Sequence, residues 1–263
     1  MWNRAELKNR AKASLSRCYW KSVFVALVLF ISVAGIGAIL RWIEHITDAG
    51  IGIGSGVTLQ YITEGENGSL DRIFRSISIG TYGPVFAAIA IMAGIVTVYG
   101  DAIRIAISVF LFGPLEVGSQ RWFIVNRAVG DASLAEIVHP FNHSYLNVVK
   151  AIFLRWLYLV LWFMLFVIPG IVKTYSYRLV PYILAESPEM ETSEAFRLSR
   201  AMMDGNKLGT FILDLSFLGW DILSALTFGV VGIFYVTPYR AQTNMELYVT
   251  LRDAYLGQHQ TNS

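Results

Sequence analysis

The stretch AIFLRWLYLVLWFMLFVIPGIVKTYSYRLVPYILA, Ala151 to Ala185, decides the class of this chain. From Ala151 to Ile168 its only charged residue is Arg155. A helix rises 1.5 Å per residue, so this run crosses most of a hydrocarbon layer about 30 Å thick. Pro169 and Gly170 together break a helix. Ile171–Ala185 then returns, and the whole reads as a helical hairpin. Leu208–Thr227 and Gly229–Pro238 read as a second hairpin with Thr227–Gly229 at its tip. Both return arms are short for a full crossing, so four kinked spans stand as the alternative to six.

Composition agrees. Charged residues make up 15% of the chain and hydrophobic residues 55%, whereas a soluble domain carries about 25% charged residues. The expectation is all-α: a polytopic membrane helical bundle of about six spans with amphipathic interfacial helices, residues 1–263 forming one membrane domain. A net charge of +2 gives no support to nucleic-acid binding. Cys18 is the only cysteine, which excludes an intrachain disulfide and a cysteine-based metal site.

The first apolar run, Ser22–Leu40, lies between Trp20 and Trp42, as interfacial tryptophans would mark it. Arg4, Lys8, Arg10, Lys12, Arg17 and Lys21 precede it, which makes residues 1–21 a cytoplasmic amphipathic helix by the positive-inside rule. This stretch is too polar and the run too long for a secretory signal. Residues 43–83 are rich in acids and read as an extracytoplasmic loop. A second run, Pro84–Phe112, carries Asp101 and Arg104 and ends in the cytoplasm at GPLEVG, Gly113–Gly118. Residues 114–150 and 186–207 read as cytoplasmic amphipathic segments, with a capping box at Ser133 and Glu136 and a helix start at Ser187–Glu189. Six spans put Arg121, Arg127, Lys150, Arg197, Arg200, Lys207, Arg240 and Arg252 in the cytoplasm, together with both termini.

Three amphipathic stretches resemble one another, ending at Lys21, Lys150 and Lys207, with Glu6, Glu136 and Glu194 upstream. Each leads into a span. The pattern suggests a three-fold internal repeat of interfacial helix plus helical hairpin, all copies pointing the same way.

Within LDLSFLGWDIL, Leu213–Leu223, Asp214 and Asp221 share a helix face. A charge at mid-membrane costs at least about 2.5–3.5 kcal/mol, so both should face protein or water. Counted from Lys207, they lie about 10 Å and about 20 Å deep. The same count brings Arg155, Arg178 and Arg104 near Asp214. It brings Asp101 and Lys173 near Asp221, where indole and hydroxyl donors are further candidates. These seven residues form the candidate intramembrane polar cluster. Ion pairs that fix which helices meet are one reading. The other takes three acids against four bases as a surplus positive charge that holds an anion, such as a lipid phosphate, or serves a proton-coupled path.

No catalytic set, cofactor motif or metal site stands out. His139 and His143 are four apart, but Pro140 interrupts their helix and no third ligand is evident. GIGIGSG, Gly50–Gly56, lacks the lysine of a phosphate loop.

The segments GPLEVG, IPGIVKTYSYRLVPYILAESPE, EAFRLSRAMMDGNK and LDLSFLGWDILSALTFGVVGIFYVTPY together resemble a bacterial membrane-protein family, domain of unknown function 975, found mainly in Gram-positive Firmicutes. The motif around Asp214, Gly219, Trp220 and Asp221 is its most specific part. Arg178 and Leu208 stand where a smaller residue and an aromatic one are expected. The resemblance implies a multi-pass protein of the cytoplasmic membrane without assigned activity, and no catalytic residues carry over. The expected function is a non-enzymatic membrane scaffold or accessory module. Its expected partners are the bilayer, anionic lipids at the basic interfacial helices, and a membrane protein or a second copy of the chain. The alternative is a small transporter or a lipid- or anion-handling protein that uses the charge cluster.

Overall fold

The computed structural model describes residues 2–35, Tyr99 and residues 106–260. The chain divides into two units, residues 1–33 with 108–263, and residues 34–107. The described residues belong almost entirely to the first unit, which is helical throughout. The loop expected over 43–83, the Gly50–Gly56 stretch, Asp101 and Arg104 lie outside the described residues.

Helix α1 (Arg4–Arg17) starts at Asn3, whose side chain accepts from the Ala5 N–H at 2.9 Å. Glu6 in the first turn and Arg17 in the last suit the helix dipole. Leu7, Ala11 and Leu15 recur at helical spacing and form its buried stripe. The chain then bends by 111° into α2 (Tyr19–Phe30). A π-helical turn, Ile31–Gly35, follows.

A second π-helical turn, Ser108–Phe112, leads into α3 (Gly113–Val129). Gly118 lets a 3-10 turn, Leu134–Val138, cross α3 closely. A Cβ there would lie 1.8 Å from the Ile137 carbonyl oxygen. Gly130, at φ +84°, ends α3 in the left-handed conformation that favours glycine. Ser133 caps the 3-10 turn as expected, accepting from Ala135 N–H at 3.2 Å. The capping box is only half formed, because Glu136 gives its carboxylate to Arg121 at 2.7 Å.

After α4 (His139–Asn142), α5 (Tyr145–Leu165) and α6 (Val167–Ser176) form the first expected hairpin. Its tip is Phe166, in extended conformation, rather than Pro169–Gly170. Proline is tolerated in a first turn, where its missing N–H has no partner to lose. Gly170 packs under the Phe163 ring, where a Cβ would come within 2.6 Å.

A turn over 177–179 leads into α7 (Val180–Glu186), buried from Val180 to Ala185. The helix start expected at Ser187–Glu189 is a turn, and α8 spans Thr192–Met203. The carbonyls of Pro188 and Met190 in that turn accept from Asn147 at 2.7 and 2.8 Å, which ties it to α5. Helices α9 (Lys207–Leu215) and α10 (Leu218–Leu226) are separated by a break at Ser216–Phe217. The tip lies at Phe228 and Gly229, at φ +52° and +84°. A third π-helical turn, Gly232–Val236, leads into the long α11 (Thr237–Gln260).

The core is built on α3, α7 and α11, with Trp122, Phe123, Leu184, Met245 and Leu247 fully buried. Helix α1 packs on α11, the 3-10 turn on α3, and α8 on α7. In the same rotation α2 packs on α11, α5 on α3, and α9 on α6. Among the described residues two segments, Tyr145–Leu165 and Lys207–Leu226, are long and apolar enough to cross a membrane, or three segments if bent α1–α2 is one span. Only 22% and 17% of the two apolar windows is buried. Their outward faces carry Trp156, Leu161, Met164, Leu215, Ile222 and Leu226 in the open. An apolar surface this extensive suits a bilayer rather than water.

Candidate functional site

Asp214 sits in the last turn of α9 and meets Arg178, in the turn before α7. The guanidinium spans both carboxylate oxygens at 2.5 and 2.9 Å. It also donates to Asn244 of α11 at 2.9 Å, and the Tyr175 hydroxyl donates to Asp214 at 3.1 Å. Three helices and a turn thus converge on one carboxylate. Of the three arginines that depth brings near Asp214, Arg178 is the one joined to it, Arg155 goes elsewhere and Arg104 lies outside the described residues.

Arg155 does not join this group. It pairs with Glu116 in the first turn of α3, at 2.9 and 2.7 Å to the two oxygens. Both side chains are largely buried, at 14% and 13% exposure. Tyr182 of α7 is buried, and its ring stacks on that of Tyr248 at 5.3 Å. The two pairs are matched in charge: two guanidiniums, two carboxylates.

Asp221 was expected to meet Lys173 or neutral donors. Instead it takes both oxygens to Arg240 at 2.7 and 2.6 Å. Arg240 had been placed at the cytoplasmic face. Arg240, in the first turn of α11, reaches across the hairpin to Asp221, in the first turn of α10. Lys173 stands over the Trp162 ring at 4.7 Å and the Tyr177 ring at 6.0 Å. The expected single cluster is therefore divided, among the described residues, into the Arg178–Asp214, Arg155–Glu116 and Arg240–Asp221 pairs and Lys173 on its rings.

Glu116, Asn244 and Arg240 escaped the sequence reading. One signal was present: Glu116 and Arg240 each lie two residues after the proline that opens a helix, Pro114 and Pro238.

Further ion pairs lock the polar end. Arg127 binds Glu246 at 2.8 Å. Arg252 and the Tyr248 hydroxyl both bind Glu186, the latter at 2.7 Å. Burial and the neighbouring Glu186 carboxylate push the Tyr248 phenol well above its usual range. Lys21 bonds to Asp131 and holds that carboxyl below its usual range. The His139 and His143 rings stack at 4.0 Å. Burial and Arg121 hold His139 below the ordinary histidine value. No group of three or more potential metal ligands forms among the described residues.

No curated protein and no solved structure matches the chain. Residues 1–255 match the family described as protein of unknown function (DUF975), and the chain belongs to that family.

Proposed function

We propose that this protein is a non-enzymatic, multi-pass component of a bacterial cell membrane that serves as a scaffold or accessory module. Both termini lie in the cytoplasm. The observation that carries the reading is the use of the internal charges. Arg155–Glu116 joins the first expected hairpin to α3. Arg178–Asp214 joins that hairpin to the second and, through Asn244, to α11. Among the described residues, Arg155, Arg178 and Arg240 each pair with a carboxylate on another element, and buried pairs of this kind can specify which helices meet.

The packing order supports three copies of one unit, each an interfacial helix and a pair of spans. The interfacial element of each copy packs on a helix of the copy before it, the 3-10 turn on α3, α8 on α7, and α1 on α11 closing the ring. Such a ring leaves its apolar outer faces free for a membrane protein partner or a second copy, while its basic helices suit anionic lipid.

The test is native mass spectrometry of the protein extracted in mild detergent from its own membrane. A stoichiometric partner chain or a defined oligomer upholds the module reading. A monomer that carries a small solute, lost on Arg178→Ala, overturns it in favour of transport.

A further inference from the structure

We propose that Lys8, Lys12 and Arg240, gathered over the rings of Phe217 and Tyr239, form a binding site for a phosphate group, from an anionic phospholipid or from free phosphate. Phe217 lies at the break between α9 and α10 and is fully buried. The Lys8 ammonium stands 4.5 Å from its centroid and the Arg240 guanidinium 5.1 Å. The Tyr239 ring lies 5.3 Å from that of Phe217, with the Lys12 ammonium 5.8 Å from its centroid. Three cations thus share two adjacent rings.

Among the described residues Asp221 is the one carboxylate paired with any of them, and Arg240 takes both of its oxygens. Lys8 donates to the Ser216 carbonyl at 3.3 Å. An ammonium has three N–H donors, so donors on both lysines remain to be spent. Burial and the nearby charges of Arg4 and Lys12 hold Lys8 below the ordinary lysine range, as crowding of like charges requires. Lys12 is exposed, which leaves the approach open. A phosphate oxygen accepts from two ammoniums at once and neutralises the surplus. The 111° bend after α1 is what turns these lysines onto the bundle.

The headgroup source rests on the membrane reading above, and the free-phosphate source does not. The experiment is thermal unfolding of the full chain in neutral detergent, followed by tryptophan fluorescence. Phosphatidylglycerol, phosphatidylcholine or inorganic phosphate is added to wild type, Lys12→Gln, Lys8→Gln/Lys12→Gln and Arg10→Gln. The expected result is a rise of several degrees with phosphatidylglycerol over phosphatidylcholine. Lys12→Gln reduces the rise, the double variant abolishes it, and Arg10→Gln, which removes equal charge from a residue paired with Glu6, retains it. A rise with lipid alone assigns the headgroup, and one reproduced by inorganic phosphate assigns the free anion. No rise from either, an undiminished rise in Lys12→Gln, or an equal loss in Arg10→Gln overturns the site. Lys12 is exposed and among the described residues contacts the Tyr239 ring, so that single variant tests the site even where the double one fails to fold.

Discussion

Replacing Glu116 with glutamine keeps the shape of the side chain and removes its charge. Arg155 then loses the carboxylate that occupies its terminal nitrogen at 2.7 and 2.9 Å, while its Nε already has no partner. Removing one member of a buried ion pair costs about 3–5 kcal/mol. Both side chains keep a little exposure, 14% and 13%, and glutamine still offers one acceptor. The expected loss is therefore below that range, about 2–3 kcal/mol. Denaturant titration in detergent, followed by tryptophan fluorescence, measures it. Glu116→Leu combined with Arg155→Met should recover much of the loss, because a buried apolar pair carries no desolvation penalty. A Glu116→Gln protein within about 0.5 kcal/mol of wild type, the range of ordinary surface changes, refutes the reasoning.

Three other perturbations follow from the packing. Gly118→Ala places a Cβ against the Ile137 backbone, 1.8 Å from its carbonyl oxygen. It should destabilise by about 2–3 kcal/mol, read in the same titration. Trp122→Ala empties a site of zero exposure in the core; a loss of about 3–5 kcal/mol is expected, and retention of full stability would remove α3 from the core. His139 is held below its ordinary value of 6.5, so the fold favours the neutral ring. Its contribution is complete above that value and is lost as pH falls from there through the lower value of the folded state. Stability compared at about pH 7.5 and about pH 5.5 should fall in wild type and fall less in His139→Gln.

The hairpins were legible because apolar runs as long as Ala151–Ile168 admit few other readings. Their exact breaks were not. Pro169 and Gly170 read as a tip, yet the first turn of a helix accepts both, and the chain turns at Phe166 instead. Depth counting at a fixed rise put Arg155, Arg178 and Arg104 near Asp214 without choosing among them, and Arg178 is the one joined to it. It missed Arg240 for Asp221, because Arg240 reads as a cytoplasmic residue beyond the return arm of the hairpin. Lys8 and Lys12 read as residues facing headgroups. The sharp bend after α1 follows from an interfacial helix leading into a span, but the aromatic rings of the bundle onto which it turns both lysines were not legible.

Glu116, Asp214 and Asp221 each serve one particular arginine as a joint between elements of the bundle. The direct measurement is a set of double-mutant cycles on Arg178, Asp214, Asp221 and Arg240 in detergent-solubilised protein. A coupling above about 1 kcal/mol is expected for Arg178 with Asp214 and a measurable one for Arg240 with Asp221. Couplings near zero are expected for Arg178 with Asp221 and for Lys173 with Asp221. Additive effects for Arg178 and Asp214, or a strong coupling of Lys173 with Asp221, would contradict this pairing.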